Sequence, residues 1–339
     1  MTEHFPVRAG IDEAGLGPLL GPLALGWSAV EVASPSADAW TSWAPPVVRQ
    51  TPKRAATAHL VVADSKQVFA RNARGRARLE RTALCFLAQA LPGCVPPHRF
   101  GELFAPPIAS LGPSPEFLRA PWYLTPGALE APLADHADEG GLELLAERLR
   151  RVIESSDVKL VEAGLRLVPA VELNRSYSET NNKGTTMLSL TFDTLAHLFA
   201  KFAARGLDVV VDRQGGRAHY GPALARRFPT ANVRLVEERA GTSAYRLDGR
   251  AGTESAGHRM LVSFTEKGED HSFTTALGSC LAKFGREAAM AAFNRYWSAR
   301  CPDLVATAGY TQDGRRWLVD AAKAVDAEGL APGILVRER

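Results

Sequence analysis

The sequence is poor in the features that announce covalent, redox or nucleotide-cofactor chemistry. Its four cysteines, Cys85, Cys94, Cys280 and Cys301, lack the close spacing of a metal motif and read as buried thiols in a reducing compartment. No His/Cys cluster offers a zinc site. Neither a G-x-x-x-x-G-K-[ST] loop nor a G-x-G-x-x-G after a strand occurs, which argues against P-loop and dinucleotide-binding folds. The first residues carry no apolar signal core, and no window is long and apolar enough to span a membrane. A cytoplasmic protein with no membrane partner is therefore expected. Internal repeats, low-complexity tracts and coiled-coil heptads are also missing. The net charge is only +3 over 339 residues, which permits a local basic groove without demanding one.

What is present is ordinary for a soluble globular chain: 46% apolar and 23% charged residues, with length enough for a full core. Residues 5–13 and 21–32 are strand-like and joined by a glycine turn, which predicts an antiparallel hairpin. Residues 33–58, rich in Ser, Pro and Ala, read as a loop. A short apolar run at 60–63 leads into Asp64-Ser65-Lys66. Helical spacing covers 67–91, with an Arg-rich face opposite the apolar one, and Pro92-Gly93 ends it. Residues 95–150 begin dense in proline and read as an insertion in which Trp122 and Tyr123 are anchors. A strand over 158–169 and a helix over 183–206 follow. The Val-rich strand 207–212 suits a central position covered on both faces. A short helical piece at 219–228, a strand near 233–238 and a polar, Gly-rich stretch at 239–256 come next. Then come a strand at 258–264, an Ala-rich helix at 272–298 and an amphipathic helix at 314–328. The last lies in a helical C-terminal flank near 300–339. Alternating strands and helices predict an α/β fold, a mixed sheet flanked by helices, taken as one domain over 1–339.

The chemistry concentrates on acids at strand ends. The stretch Val7-Arg8-Ala9-Gly10-Ile11-Asp12-Glu13-Ala14-Gly15-Leu16-Gly17-Pro18 puts two carboxylates between a strand and a glycine turn. Adjacent strand residues point to opposite faces, so Asp12 and Glu13 share a site only through a bend that the glycines permit. Asp212 ends the Val-rich strand. Glu269 and Asp270 stand just before the long helix, where Asp270 also suits an N-cap. Four converging carboxylates repel one another unless a cation neutralises them. Mg²⁺ and Mn²⁺ prefer such oxygen ligands, and two ions about 4 Å apart can activate a water against a phosphodiester.

Five segments resemble the type 2 ribonucleases H, the ribonuclease HII and HIII group. These are AGIDEAGLGPLLGPL, ADSKQVF, LDVVVDRQGG, KGEDHSFTTALGSCLAKFGRE and TAGYTQDGRRWL. The resemblance implies a ribonuclease H-like sheet and two divalent ions, Mg²⁺ or Mn²⁺, held by Asp12, Glu13, Asp212 and a fourth acid. In the family the fourth acid lies fourteen residues before a helix Lys or Arg. Counting back from Lys283 gives Glu269, with Asp270 one residue out of step. Glu is the HIII choice and Asp the HII choice. The chain begins at its acidic strand, so the N-terminal substrate-binding domain of HIII is not expected, and the chain matches neither type cleanly. The implied activity is hydrolysis of the RNA strand of an RNA–DNA hybrid, leaving 3′-hydroxyl and 5′-phosphate ends.

The resemblance also assigns substrate contacts to the Gly15-Leu16-Gly17 turn, Ser65, Lys66 and Tyr310. The family carries Arg or Lys between the two turn glycines, where this chain has Leu16. Lys283 and Arg286, one helical turn apart, are read either as a backbone-following pair or as a solvated face. His271 reads as structural. Thr275, Gly278, Ser279 and Ala282 form a small-residue stripe that would let the long helix approach the sheet. A monomer is expected. The alternatives are a related nuclease with another nucleic-acid substrate, a non-catalytic hybrid-binding protein, and a metal-dependent phosphohydrolase of small phosphates.

Overall fold

The computed structural model describes residues 4–54, 56–331 and 333–338. Strands β1 (Val7–Ala14) and β2 (Leu23–Val32) form the antiparallel hairpin expected from the sequence, with Ile11 opposite Trp27 and Asp12 opposite Gly26. The single helix expected over 67–91 is two, α1 (Ser65–Val68) and α2 (Ala73–Ala88). The break has a local cause: Asn72 caps α2, its side chain accepting the Gly75 N–H at 2.8 Å. Next come α3 (Glu139–Ser155), β3 (Val158–Val168), α4 (Ala170–Thr180), α5 (Lys183–Phe202) and β4 (Leu207–Asp212). The chain continues through α6 (Gly221–Arg227), β5 (Ala231–Arg239), β6 (Thr242–Gly249) and β7 (Arg259–Thr265). It ends with α7 (Gly268–His271), α8 (Phe273–Ser298), α9 (Thr311–Asp320) and α10 (Ala322–Ala327).

Among the described residues, seven strands make one mixed sheet in the order β3-β2-β1-β4-β7-β6-β5. The central strands β1, β4 and β7 are parallel; every other neighbour is antiparallel. The sheet is flanked by helices, so the fold class is the α/β arrangement expected. Three local features go beyond the sequence reading. Residues 239–256, read only as polar and Gly-rich, hold β6, where Ser243, Tyr245 and Leu247 alternate inward beneath a polar outer face. Helix α4 gave no sequence signal because its few buried side chains include Glu172 and Asn174. The last helix, expected over 314–328, is the pair α9 and α10. Cys85 and Cys280 are buried as expected, while Cys94 and Cys301 are only half-buried; all four are free thiols.

The two faces of β1 have different jobs. Val7, Ala9 and Ile11, with Val209 and Val211 of β4, pack against Leu195, Leu198 and Phe202 of α5. Each fully buried Val, Ile, Leu or Phe side chain here contributes about 1.5–3 kcal/mol. On the other face, α8 crosses β1 and β2 with backbone against backbone. A Cβ on Gly10 would lie 2.1 Å from the Thr275 nitrogen, and one on Gly26 would lie 2.2 Å from the Gly278 carbonyl oxygen. The small-residue stripe thus allows a close approach, as its composition suggested. Ser272 caps α8 by accepting the Thr275 N–H at 3.2 Å; the cap is not Asp270. Trp122 and Tyr123 are buried anchors: Tyr123 stacks on Phe117 at 4.5 Å, and Trp122 packs on Phe293 and Trp297 of α8. Among the described residues no helix is long and apolar enough to cross a membrane.

The close approach makes a testable demand. Gly26→Ala places a methyl against helix backbone that cannot yield, and is expected to lower unfolding free energy by about 3 kcal/mol or more. Gly127→Ala meets nothing within 4 Å and should change it by less than about 0.5 kcal/mol. Urea unfolding of the two variants checks this; equal stabilities would refute the tight crossing.

Candidate active site

Parallel pairing of β1 with β4 brings the first acids together. Ile11 is paired with Val211, so the next residues, Asp12 and Asp212, stand side by side where this parallel pairing ends. Asp12 lies on the face toward α8, with the Ser279 hydroxyl beside its carboxyl. That hydroxyl is 3.0 Å from the Ser65 hydroxyl and accepts the Ser65 N–H at 3.3 Å. One small-residue position on α8 therefore ties the Asp64-Ser65-Lys66 segment to Asp12. The Glu13 N–H donates to Asp12 Oδ1 at 2.7 Å. The Glu13 carboxyl turns to Gln214, which follows Asp212.

The fourth acid arrives through the turn after β7. Lys267 takes a left-handed conformation, φ 55°, and α7 begins at once. The Gly268 N–H donates to Asp212 Oδ1 at 3.1 Å. Glu269 is buried, and its carboxyl faces that of Asp212. Asp270 is exposed. His271 is exposed too. Among the described residues, Glu269 Oε2 and Gln214 Oε1 are buried without a hydrogen-bond partner.

All four carboxyls are held above their ordinary range, burial being the largest cause in each. Asp12 is raised well above it, with Glu13 and Asp212 adding repulsion. Glu13 is pushed from 4.5 to about 7 by burial and by Asp212. Glu269 is likewise pushed to about 7 by burial, then by Asp212 and Asp64, and Asp212 is raised by burial. Facing them, the Lys66 ammonium is raised by Asp64 first and also by Glu269, Asp12 and Asp212. Asp64 both caps α1, accepting the Lys66 N–H at 2.9 Å, and faces this cluster.

The glycine turn is held from beneath by two buried arginines. Gly15 has φ 88°, in the left-handed region, and its carbonyl accepts from Arg337 Nη1 at 2.5 Å. Arg337 Nε donates to the Gly21 carbonyl at 2.8 Å. Arg286 donates to the Pro22 carbonyl and to those of Leu20 and Ala308, at 3.4 and 3.0 Å for the latter two. Burial, then the neighbouring Arg286, push Arg337 down to about 9. Arg286 is thus a strut and neither a solvated nor a strand-following cation. Lys283 is also not beside the acids: it pairs with Glu287 at 2.7 Å. Leu16 and Gly17 are exposed at the tip of the turn. Tyr310, 45% exposed, stands next to the turn because the Gly309 carbonyl accepts the Leu19 and Leu20 N–H groups at 2.7 and 3.1 Å.

The structure thus gathers Asp12, Glu13, Asp212, Glu269 and Lys66 within electrostatic range, with Ser65 beneath them. It leaves Lys283 along α8. Sequence reasoning passed over Asp64 as a fifth acid, Ser279, Gln214 and Arg337. Asp64 and Ser279 stood inside segments already singled out; Gln214 and Arg337 gave no separate signal. The carboxylate oxygens form the hard donor set that Mg²⁺ or Mn²⁺ prefers. The buried, unpartnered Glu269 oxygen beside the Asp212 carboxyl marks where positive charge is lacking. Among the described residues, no three acid, His or Cys side chains are gathered tightly enough to hold an ion as they stand.

No protein-family model matches the sequence, and no curated protein matches it. Among solved structures, ribonuclease HII from Archaeoglobus fulgidus, in its complex with PCNA, is similar at 15% identity and TM-score 0.38, over 98% of this chain and 94% of that one. Ribonuclease H2 from Pyrococcus horikoshii is similar at 13% and 0.37, over 97% and 92%. Bst ribonuclease HIII in complex with Mn²⁺ is similar at 12% and 0.41, over 98% and 66%. At these values the likenesses assign neither family nor activity.

Proposed function

We infer that the chain is a metal-dependent nuclease of the ribonuclease H kind that hydrolyses the RNA strand of RNA–DNA hybrids. The observation that supports this is the gathering of acids from separate segments, all with raised pKa, at the carboxyl edge of β1 and β4. Asp12, Glu13, Asp212 and Glu269 would hold two divalent ions, Mg²⁺ or Mn²⁺. When bound, such ions polarise the scissile phosphate, generate a nucleophilic water and stabilise the leaving oxygen. The protein's own groups do the rest. Ser279 orients the Asp12 carboxyl, and Gln214 orients that of Glu13. Lys66 offers a phosphate an ammonium already directed at the acids. The backbone of Gly15, Leu16 and Gly17 presents polar groups where a ribose 2′-hydroxyl, the mark that distinguishes RNA, would be read. Arg286 and Arg337 keep that turn in place, and Tyr310 flanks it.

Leu16 supports a second reading. An exposed apolar side chain at the turn tip supplies no cation to a junction phosphate, which favours continuous hybrid over a duplex with a single ribonucleotide.

Asp12→Asn and Asp212→Asn are each expected to cut hybrid cleavage by about a thousandfold, a loss of about 4 kcal/mol in transition-state stabilisation. Asp270→Asn should stay within about threefold, since so small a change is under 1 kcal/mol. Labelled hybrid, double-stranded DNA and a single-ribonucleotide duplex with Mg²⁺ or Mn²⁺ provide the assay. Equal cutting of double-stranded DNA would refute the substrate assignment; equal losses in the Asp270 variant would refute Glu269.

The raised carboxyls also predict how stability varies with pH. Glu13 and Glu269 bind protons more tightly folded than unfolded, so the folded state holds more protons between pH 4.5 and about 7. Metal-free stability should therefore fall as pH rises through this window. A divalent ion replaces the protons, so Mn²⁺ should flatten the fall and bind more tightly toward pH 8. Denaturant melts across pH, with and without Mn²⁺, test this; stability that rises through the window in metal-free buffer would contradict it.

A further inference from the structure

The Arg-rich face of residues 71–81 has no part in the acid site, yet it borders a cleft one turn further along α8. On α8, Lys283 lies one turn beyond Ser279, about 6 Å along the axis. There Arg71, Arg76, Lys283 and Tyr310 border a cleft of about 340 Å³. The Arg71 guanidinium stands 6.0 Å over the Tyr310 ring. Arg76 and Lys283 both lie over the ring of Phe69, at 5.8 and 4.3 Å. Two cations on one ring need an anion, and Glu287 serves both, at 3.7 Å from Arg76 and 2.7 Å from Lys283. The other acid of the cleft, Asp313, is engaged by the Thr307 hydroxyl, the Ala308 N–H and Arg316. The cleft therefore has three cations and one carboxylate to share between two of them.

We propose that this cleft seats the sugar–phosphate backbone of the nucleic-acid strand leaving the acid site, with Arg71, Arg76 and Lys283 contacting its phosphates. The proposal rests on the nuclease reading and extends it. Guanidinium forks match phosphate oxygens, and an exposed aromatic ring at the rim supplies a stacking surface. The position fits as well. Lys66 of α1 faces the acids, Phe69 follows α1, and Arg71 and Arg76 follow Phe69, so a strand passing Lys66 along α8 arrives here. Glu287 acts as a placeholder that holds Arg76 and Lys283 in position until a phosphate displaces it.

The test reads binding apart from cleavage. A fluorescent RNA–DNA hybrid of about 20 base pairs is titrated by anisotropy with Asp12→Asn protein over a range of salt, a length on the scale of nucleic-acid modules. Arg71→Ala and Arg76→Ala are each expected to weaken binding and to lower the slope of log K against log salt by about 1. Arg76→Lys should restore the slope, and Glu287→Gln should tighten binding. Arg234→Ala, on edge strand β5, should leave both unchanged. Arg71 is exposed, so its variant is expected to fold, and a thermal melt verifies this. Unchanged slopes in both Arg→Ala variants, with melts intact, overturn the cleft assignment even if the parent cuts hybrid. Slope losses in a protein whose Asp12 parent cuts nothing keep the cleft as a binding surface and remove the nuclease reading.

Discussion

The structure depends on the contact between the backbone of α8 and the backbones of β1 and β2. Gly10, Gly26 and Gly278 leave no side chain between helix and sheet, and a Cβ on any of them would collide with backbone. Because the crossing is this close, Ser279 reaches Asp12, and the helix start holds Glu269 beside Asp212. Further along the same helix, Arg286 reaches the carbonyls beneath the glycine turn. A side chain's width of extra separation would disconnect all three. The contact itself has little chemistry; it sets distances, and the acids and the turn depend on those distances.

That geometry carries an electrostatic cost. Carboxyls are buried together with Lys66 as the cation directed at them, and burial raises all four. The raised carboxyls hold protons more tightly than free acids do, Glu13 and Glu269 up to about pH 7. The fold offsets this strain with a large core on both sheet faces and with buried arginines bound to backbone carbonyls. Those guanidiniums have many donors and, among the described residues, no carboxylate partner, which suits them to holding a loop and not to balancing charge. Under the proposed function such a site would exchange protons for metal ions, which would link ion binding to stability and pH.

Much of this was legible in the sequence. The hairpin, the Val-rich central strand and the long small-residue helix have periodicity or composition that only a few structures satisfy. The acids stood out because each ends a strand or precedes a helix. The register that sets Asp12 beside Asp212 was not legible, since strand pairing is decided by the whole sheet. Strand β6 was hidden because its buried positions include Ser243 and its outer face is polar. Lys283 and Arg286 look alike in sequence, yet one pairs with Glu287 over Phe69 and the other is enclosed beneath the turn. Their separation is a matter of which side of α8 faces the loop. Arg337 lies more than three hundred residues from the carbonyls it holds, and nothing local marks it.

The central claim is that these acids exist to bind divalent cations at one place. Its most direct test is a crystal soaked in Mn²⁺ and measured for anomalous scattering. The account predicts a peak about 2.2 Å from a carboxylate oxygen of Asp12, shared with Asp212 or Glu269, at hard-cation coordination distance. A map with no peak at Asp12 at saturating Mn²⁺, or with manganese bound only elsewhere on the surface, would contradict it.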